Sequence, residues 1–408
     1  MIQSPLEYIA AKMGNVVKYD QKGNPSIFVP FYKCKSKDLD SSLPDHTHPA
    51  FIVNGQEVDR ILIGKYMGVS LEPEGTIYSL PNMEPIHSKG VDDMDERIRR
   101  FPGACSFTIA MHGLILLLAK KNGWVPKGNN YFGVDYQDGT PWDIGQSYTI
   151  GTKRVLYGWE YECIKAHTSV AELKPDIAHS YWKRGKHIGG ITAPSQRSAN
   201  NGRGYLTLTG TGPASWYLDG TPDSISDAQG NTMECMPGYR VYDGELQIFA
   251  NNDAAHPDAD NTANSAQWKA ILPSQVDDSH TLVAPGTTGT LKWNKTGAGN
   301  PPPQLDTQIT LRCVGSEYMH TPFKDLTANS ARVPYVPAIL KELGIFPIAG
   351  DTTPGRVYCR NQEGTEYYPR HGGYCGYASS AGLGCVHCNN SRAHAGVSYG
   401  CRPAFVEL

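Results

Sequence analysis

The residues most able to do chemistry crowd the C-terminal stretch of the chain, where Cys375, Cys385, Cys388 and Cys401 lie among His387 and His394. Cys385-x-x-Cys388 supplies two thiolates at metal-ligand spacing, and His394 with Cys401 could complete four zinc ligands. The plainer alternative treats these cysteines as small buried hydrophobes, and it is the expectation here, with neither a metal nor a cofactor assigned. Asp253, Asp258, Asp260 and Asn261 form an oxygen-rich loop that could hold calcium, but no EF-hand pattern surrounds them, so an ordinary solvated loop is expected. Asp45-His46-Thr47-His48 reads as a turn before Pro49, and His112, inside an apolar run, reads as a buried and satisfied histidine. Nucleophile-elbow, phosphate-loop and His-Glu-x-x-His motifs are absent, and Arg184 to Gly190 has the wrong spacing for a nucleotide cradle. A carboxylate pair for glycoside hydrolysis has no local spacing rule and stays open. No catalytic residue is assigned, and the chain is expected to bind something and not to be an enzyme.

Composition sets the frame for those residues. The 408 residues are 39% hydrophobic and 19% charged, with a net charge of −3, which fits a folded chain and gives no basic excess for nucleic acid or an anionic membrane. The 43 glycines, 29 prolines and 23 tyrosines imply many turns, short strands and irregular loops, and tyrosine is a favoured contact residue of binding surfaces. The best apolar run, 107–119, is shorter than the ~20 residues needed to span a bilayer and reads as a core helix. Met1 to Tyr19 lacks a charged segment followed by an apolar one, so no signal peptide is expected and thiols should be reduced during synthesis.

Local signals predict the elements. Residues 51–68 read as strands around an Asn54-Gly55 turn. The strongest helix is predicted over 104–122, closed by Asn122-Gly123. A weaker helix is expected from Trp159 to Thr168, a strand at 205–209, a short helix near 263–271 and another from Pro337 to Leu343, stopped by Gly344. Residues 1–44 read as an N-terminal arm or attachment region, and 45–408 as one domain carrying an insertion at about 251–306.

Two stretches carry a family resemblance. Ile225-x-Asp227-x-x-Gly230-Asn231-x-x-Glu234, followed by Gly238 and Arg240, resembles the Gly-Asn-Val-Trp-Glu-Trp segment of the formylglycine-generating-enzyme branch of the C-type lectin fold, with Met233 and Cys235 in place of the tryptophans. Its residues also suit a tight turn, with Gly230-Asn231 at positive φ and Asp227 and Glu234 accepting from loop amides. Gly372-Gly373, Ala381-Gly382, Asn389-Asn390-x-Arg392 and Gly400-Cys401-Arg402-Pro403-Ala404 are similar to the frame of the variable region of diversity-generating retroelement proteins, which share that lectin-like fold. The resemblance implies an α+β, C-type-lectin-like fold of the formylglycine-generating-enzyme subtype, with a variable ligand-binding region over about 371–404.

In that family the frame is fixed and the positions between are altered by mutation of template adenines. Mutated Asn codons cannot become Lys, Glu, Gln, Met or Trp, and residues 374–401 contain none of the five. The frame makes Tyr374, Gly376, Tyr377, Ser380, Gly384, His387, His394, Gly396 and Ser398 the ligand-binding display positions, with Cys375 and Tyr399 weaker candidates. Arg392 and Arg402 are expected to hold the scaffold and Asn389-Asn390 to fix a turn. The implied role is receptor binding or adhesion on a phage tail or bacterial cell surface, toward a surface protein or glycan. Nucleic acid and membrane insertion are not expected, and a homotrimer is plausible. Two other readings are a lectin-fold oxidase using Cys375 and Cys385, whose spacing departs from that family's cysteine pair, and a structural virion component without an external ligand.

Overall fold

The structure is a computed structural model that describes residues 4–408, and it is an α+β fold in which short strands far outnumber helices. The described residues form five α-helices: α1 (Pro5–Lys12), α2 (Ser36–Leu39), α3 (Val91–Arg99), α4 (Ile109–Lys121) and α5 (Ala338–Glu342). None among the described residues is long and apolar enough to cross a membrane. Eleven strands build the two sheets that position the candidate site: β1 (Val16–Tyr19), β2 (Pro25–Tyr32), β3 (Arg60–Gly64), β4 (Ala104–Ser106), β5 (Met233–Cys235), β6 (Met319–Pro322), β7 (Arg356–Cys359), β8 (Arg370–Gly372), β9 (Gly382–Cys388), β10 (Tyr399–Gly400) and β11 (Pro403–Val406).

The first sheet has five strands in the order β1-β2-β3-β11-β4, so β11 lies between two strands from the first third of the chain. The described part of the expected arm, residues 4–44, is therefore not separate: Phe28–Tyr32 of β2 pair with the whole of β3, and Phe28 meets Phe405 edge-to-face at 5.0 Å. The second sheet has six strands in the order β6-β7-β9-β8-β5-β10, with β7 parallel to β9 and β5 parallel to β10.

Helix α4 is buried on nearly every side, from Ile109 through Leu117, and its apolar residues join the main core with Ile61 and Ile63 of β3 and Val357 and Val386 of the second sheet. A helix apolar all round has to be enclosed. Thr108 caps it, accepting from Met111 N, and Gly123 ends it at φ +63 as predicted; the predicted first turn is instead strand β4. The Asn54-Gly55 turn is present, both residues at positive φ, and α5 ends before Gly344 as expected.

Four further expectations give way. Residues 251–306 are not an inserted loop region: Lys269–Pro273, His280–Val283, Lys292–Lys295 and Pro303–Asp306 pair into an eight-stranded sheet whose Ile271, Trp293 and Leu305 belong to the main core. The short helix expected near 263–271 is turn and then strand, with Trp268 buried against Phe249 at 4.5 Å. Trp159–Cys163 is a strand, because Trp-Glu-Tyr-Glu-Cys alternates with the period of a pleat and Tyr161 and Cys163 point into a small satellite core with Trp142 and Trp182. Residues 205–209 form only an isolated bridge, Thr192 to Thr207.

The close crossing of α4 and α5 is set by Gly113, where an added Cβ would fall 1.9 Å from the Glu342 carbonyl oxygen. Gly113→Ala should cost about 3 kcal/mol, the upper end for overpacking. Gly123→Ala, with open space around it and only its positive φ opposing the change, should cost about 1 kcal/mol. Denaturant midpoints of the two variants check the ranking.

Candidate ligand-binding face

Three buried arginines hold the C-terminal stretch: Arg370, Arg392 and Arg402. Arg402, between β10 and β11, donates from Nε and Nη2 to the Glu234 carboxylate (2.9 and 2.6 Å), from Nη1 to Gly64 O (2.9 Å) and from Nη2 to the carbonyls of Ser226 and Asp227 (3.1 Å each). Glu234 was expected to accept from loop amides, but it takes this guanidinium. Burial alone would raise the Glu234 carboxyl, yet the Arg402 charge and the adjacent His371 ring outweigh it and hold the group at about 2. Asp227, at φ +50, accepts from Gly210 N at 2.8 Å, and Gly230-Asn231 turn at positive φ as expected, with the Asn231 amide group bridging Thr207 and Asn129.

Arg392 grips Glu366 with Nε and Nη2 at 3.1 Å, Asp92 of α3 at 2.6 Å and Asn261 O at 2.8 Å, and lies over the Tyr368 ring. Arg370 donates to Ser391 O and His394 O at 3.1 Å and lies 4.4 Å over Tyr399. Asn390 Nδ2 reaches the Tyr399 hydroxyl at 2.8 Å. Of the two loops in this C-terminal stretch, 373–381 and 389–398, Arg370 and Arg392 hold the second.

Main-chain bonds clip both loops to the scaffold. Cys375 N donates to Asn231 O (3.2 Å), Phe132 N to Cys375 O (2.7 Å) and Ala378 N to Asn130 O (2.8 Å). In the second loop Val91 N donates to Arg392 O (3.1 Å), Ser88 N to Gly396 O (3.0 Å) and Met233 N to Ser398 O (2.7 Å). Gly373 is required where it stands: at φ +77 an added Cβ would meet Ala381 at 2.6 Å.

The display positions divide by burial. His394 is exposed, and Tyr374, Gly376, Tyr377, Ser380, Gly396 and Ser398 are half-buried at the surface of the two loops. Gly384 and His387 are buried within β9, which corrects their assignment as display positions. Phe323 covers Gly384, where a Cβ would meet that ring at 2.8 Å. Tyr358 and Tyr377 cover His387, with ring centroids at 5.4 and 6.1 Å, and burial lowers its pKa to about 3. Of the weaker candidates, Cys375 and Tyr399 are both buried.

Beside this stretch lie residues the linear pattern did not single out: Tyr318, His320, Arg356 and Tyr358, on and next to β6 and β7. The alternation of Arg356-Val357-Tyr358-Cys359, with Val357 and Cys359 buried, was the available signal. Rings run on from Tyr318 to His320 (5.5 Å), Tyr358 (5.7 Å), Tyr377 (5.6 Å) and Tyr374 (4.5 Å).

The cysteines occupy apolar slots. All ten are free, and Cys375, Cys385, Cys388 and Cys401 are buried, each thiol pushed up by burial, Cys385 to about 12. In β9 Cys385 shares a face with His387, whereas Cys388 points the other way with Val386, so the Cys-x-x-Cys spacing does not converge. Among the described residues no three His, Cys, Asp or Glu side chains gather as metal ligands. Asp253 accepts from Asn54 N, Asp260 from Thr262 N, and Asn261 donates to Ala254 O, so these oxygen-rich residues serve turns and tethers. His46 and His48 bond Glu342 at its carboxylate (2.6 Å) and its carbonyl (3.1 Å). His112 is buried but unsatisfied: neither ring nitrogen has a partner, and the ring packs 4.7 Å from that of His371.

No family model matches the chain, and no curated protein matches it.

Arg402→Met leaves Glu234 buried without its guanidinium and should cost about 3–5 kcal/mol at neutral pH. The carboxyl lies at about 2 in the folded chain against 4.5 ordinarily, so its stabilisation is complete above pH 4.5 and is lost as pH falls toward 2. Denaturation at a series of pH values should therefore show wild type and variant converging across that window. Brief alkylation of the native protein, read by mass spectrometry, should mark half-buried Cys34 first and leave Cys375, Cys385, Cys388 and Cys401 until unfolding.

Proposed function

We propose that this chain is a hypervariable ligand-binding protein of the diversity-generating retroelement type, on a C-type-lectin-like scaffold of the formylglycine-generating-enzyme subtype. It serves as a phage receptor-binding protein or a bacterial surface adhesin, assembled as a homotrimer, toward a cell-surface protein or glycan. The observation that carries this reading is the way the two C-terminal loops are held. Main-chain bonds clip both loops, and in the second the buried Arg370 and Arg392 add to them, so the side chains at the display positions are not the clips. A main-chain bond survives replacement of the side chain above it, so Tyr374, Gly376, Tyr377, Ser380, His394, Gly396 and Ser398 can change without dismantling the loops. The small and phenolic side chains there suit contact, because they lose little entropy on binding while tyrosine adds area and a hydroxyl. The lectin-like part of the reading rests on the two sequence stretches and is supported by the return of β11 beside β3 and β4.

Two measurements test it. Sequencing the flanking DNA should find a reverse transcriptase and a near-copy of the 3′ end of the coding region; their absence counts against diversification. A triple variant, Tyr374→Ser, His394→Ser and Ser398→Ala, should melt within a few degrees of wild type yet lose at least tenfold in capture of the host's surface proteins or glycans. Unchanged capture would reject the binding role of these loops.

A further inference from the structure

The ring series that begins in the C-terminal loop does not end there. It crosses β9 to β7 and reaches the edge strand β6, through Tyr358 and His320, whose rings lie nearly parallel at an interplanar angle of 17°. These residues lie on and beside strands that end at Pro322 and Cys359, before the stretch at about 371–404 that resembles a variable region, so under that reading they would be the same in every copy. His320 pairs with Tyr358, and Tyr358 with His387, across the sheet, which places the three side chains on one face with Arg356 two residues along β7.

Arg356 sets the chemistry of this face. Among the described residues its guanidinium has one hydrogen-bond partner, Nδ1 of His320, a ring that burial and the Arg356 charge bias toward its neutral form. Among the described residues no carboxylate lies within 4 Å of Arg356 or of the next arginine along, Arg360, whose Nη2 donates to Ser316 O and whose buried Nε has no partner. Arg392 and Arg402 are each committed to carboxylates of the chain. A half-exposed guanidinium with no internal anion, beside tyrosines, is complementary to a carboxylate carried on a ring that can lie against aromatic faces.

We infer that Tyr318, His320, Arg356 and Tyr358 form an invariant subsite for the carboxylate of an acidic saccharide, next to the changing loop residues; this rests on the binding role proposed above. An extended peptide is disfavoured by the edge of the sheet. Tyr318 N donates to Asn300 Oδ1 and His320 N to Pro301 O, both at 3.1 Å, so β6 has no open ladder for a peptide strand to join. Nucleic acid is disfavoured by the net charge of −3, which gives a polyanion no long-range attraction.

Titration calorimetry of the full chain with trigalacturonate and 3′-sialyllactose, against lactose and a hexaglutamate peptide, tests this. At least one acidic saccharide should bind at least tenfold more tightly than lactose. Arg356→Gln should weaken that binding about tenfold or more with the melting temperature unchanged, and Arg356→Lys should restore part of it. Three results overturn the subsite: no acidic saccharide binding, an acidic saccharide bound equally by wild type and Arg356→Gln, or hexaglutamate bound as tightly through Arg356, which would assign an acidic peptide instead. The surface-capture assay with the loop variant reads the parent proposal separately. Loss of capture there, with Arg356→Gln binding as wild type, removes the subsite and keeps the binding loops. Saccharide binding that depends on Arg356, with capture unaffected by the loop variant, does the reverse.

Discussion

The Arg402 guanidinium is the constraint around which the rest of the molecule is arranged. It joins Glu234 of β5, Gly64 of β3 and the turn at Ser226-Asp227, so a single side chain ties the five-stranded sheet to the six-stranded one. Only arginine offers donors in a planar fork wide enough for a carboxylate and several carbonyls together. Removing two charges from water is costly, and it is the close geometry and the extra carbonyl acceptors that offset the cost. The neighbouring main chain is fixed too, with Gly68 N on Cys401 O at 2.7 Å and Phe107 N on Arg402 O at 2.9 Å. With this junction set, β10 and β11 leave it in defined directions, one into each sheet.

The other two arginines extend the same device outward. Arg392 reaches α3, Asn261 and Glu366, three parts of the chain distant in sequence, and Arg370 holds the carbonyls of Ser391 and His394. The loop between Asn389 and Ser398 is therefore ordered before any ligand arrives. Ordering it beforehand avoids a loss of freedom that would otherwise weaken binding.

The sequence signals that could be read were local. Asn54-Gly55, the Gly123 stop of α4 and the Gly344 stop of α5 are each set by backbone preferences within a few residues, and each is found. The placement of residues 4–44 was not legible, because β2 takes its meaning from β3 and, through it, from β11, more than 300 residues away. Residues 251–306 misled because their strands are short and their turns rich in Asn, Gly and Pro, so the composition of the turns masked the pairing. At the site, the frame gave Arg392 and Arg402 as scaffold residues, and both are. It could not give the burial of Gly384 and His387, which depends on Phe323 and Tyr358 arriving from other strands. The register of β6 against β7, which brings Arg356 and Tyr358 beside Tyr377, has no local signature.

The position of β11 has a bearing on how such a chain is made. A ribosome has to release residues 403–406 before β3 and β4 can be joined, and residue 402 before the two sheets can be locked. The five-stranded sheet therefore stays incomplete until residues 403–406 have been made. A chain broken off before residue 403 lacks the strand that joins β3 to β4, and it leaves the facing edges of both unpaired. Such a chain stays open to proteolysis, while one that carries residues 403–406 closes. The topology therefore makes closure of the first sheet a check that translation has passed residue 402 and the stretch before it.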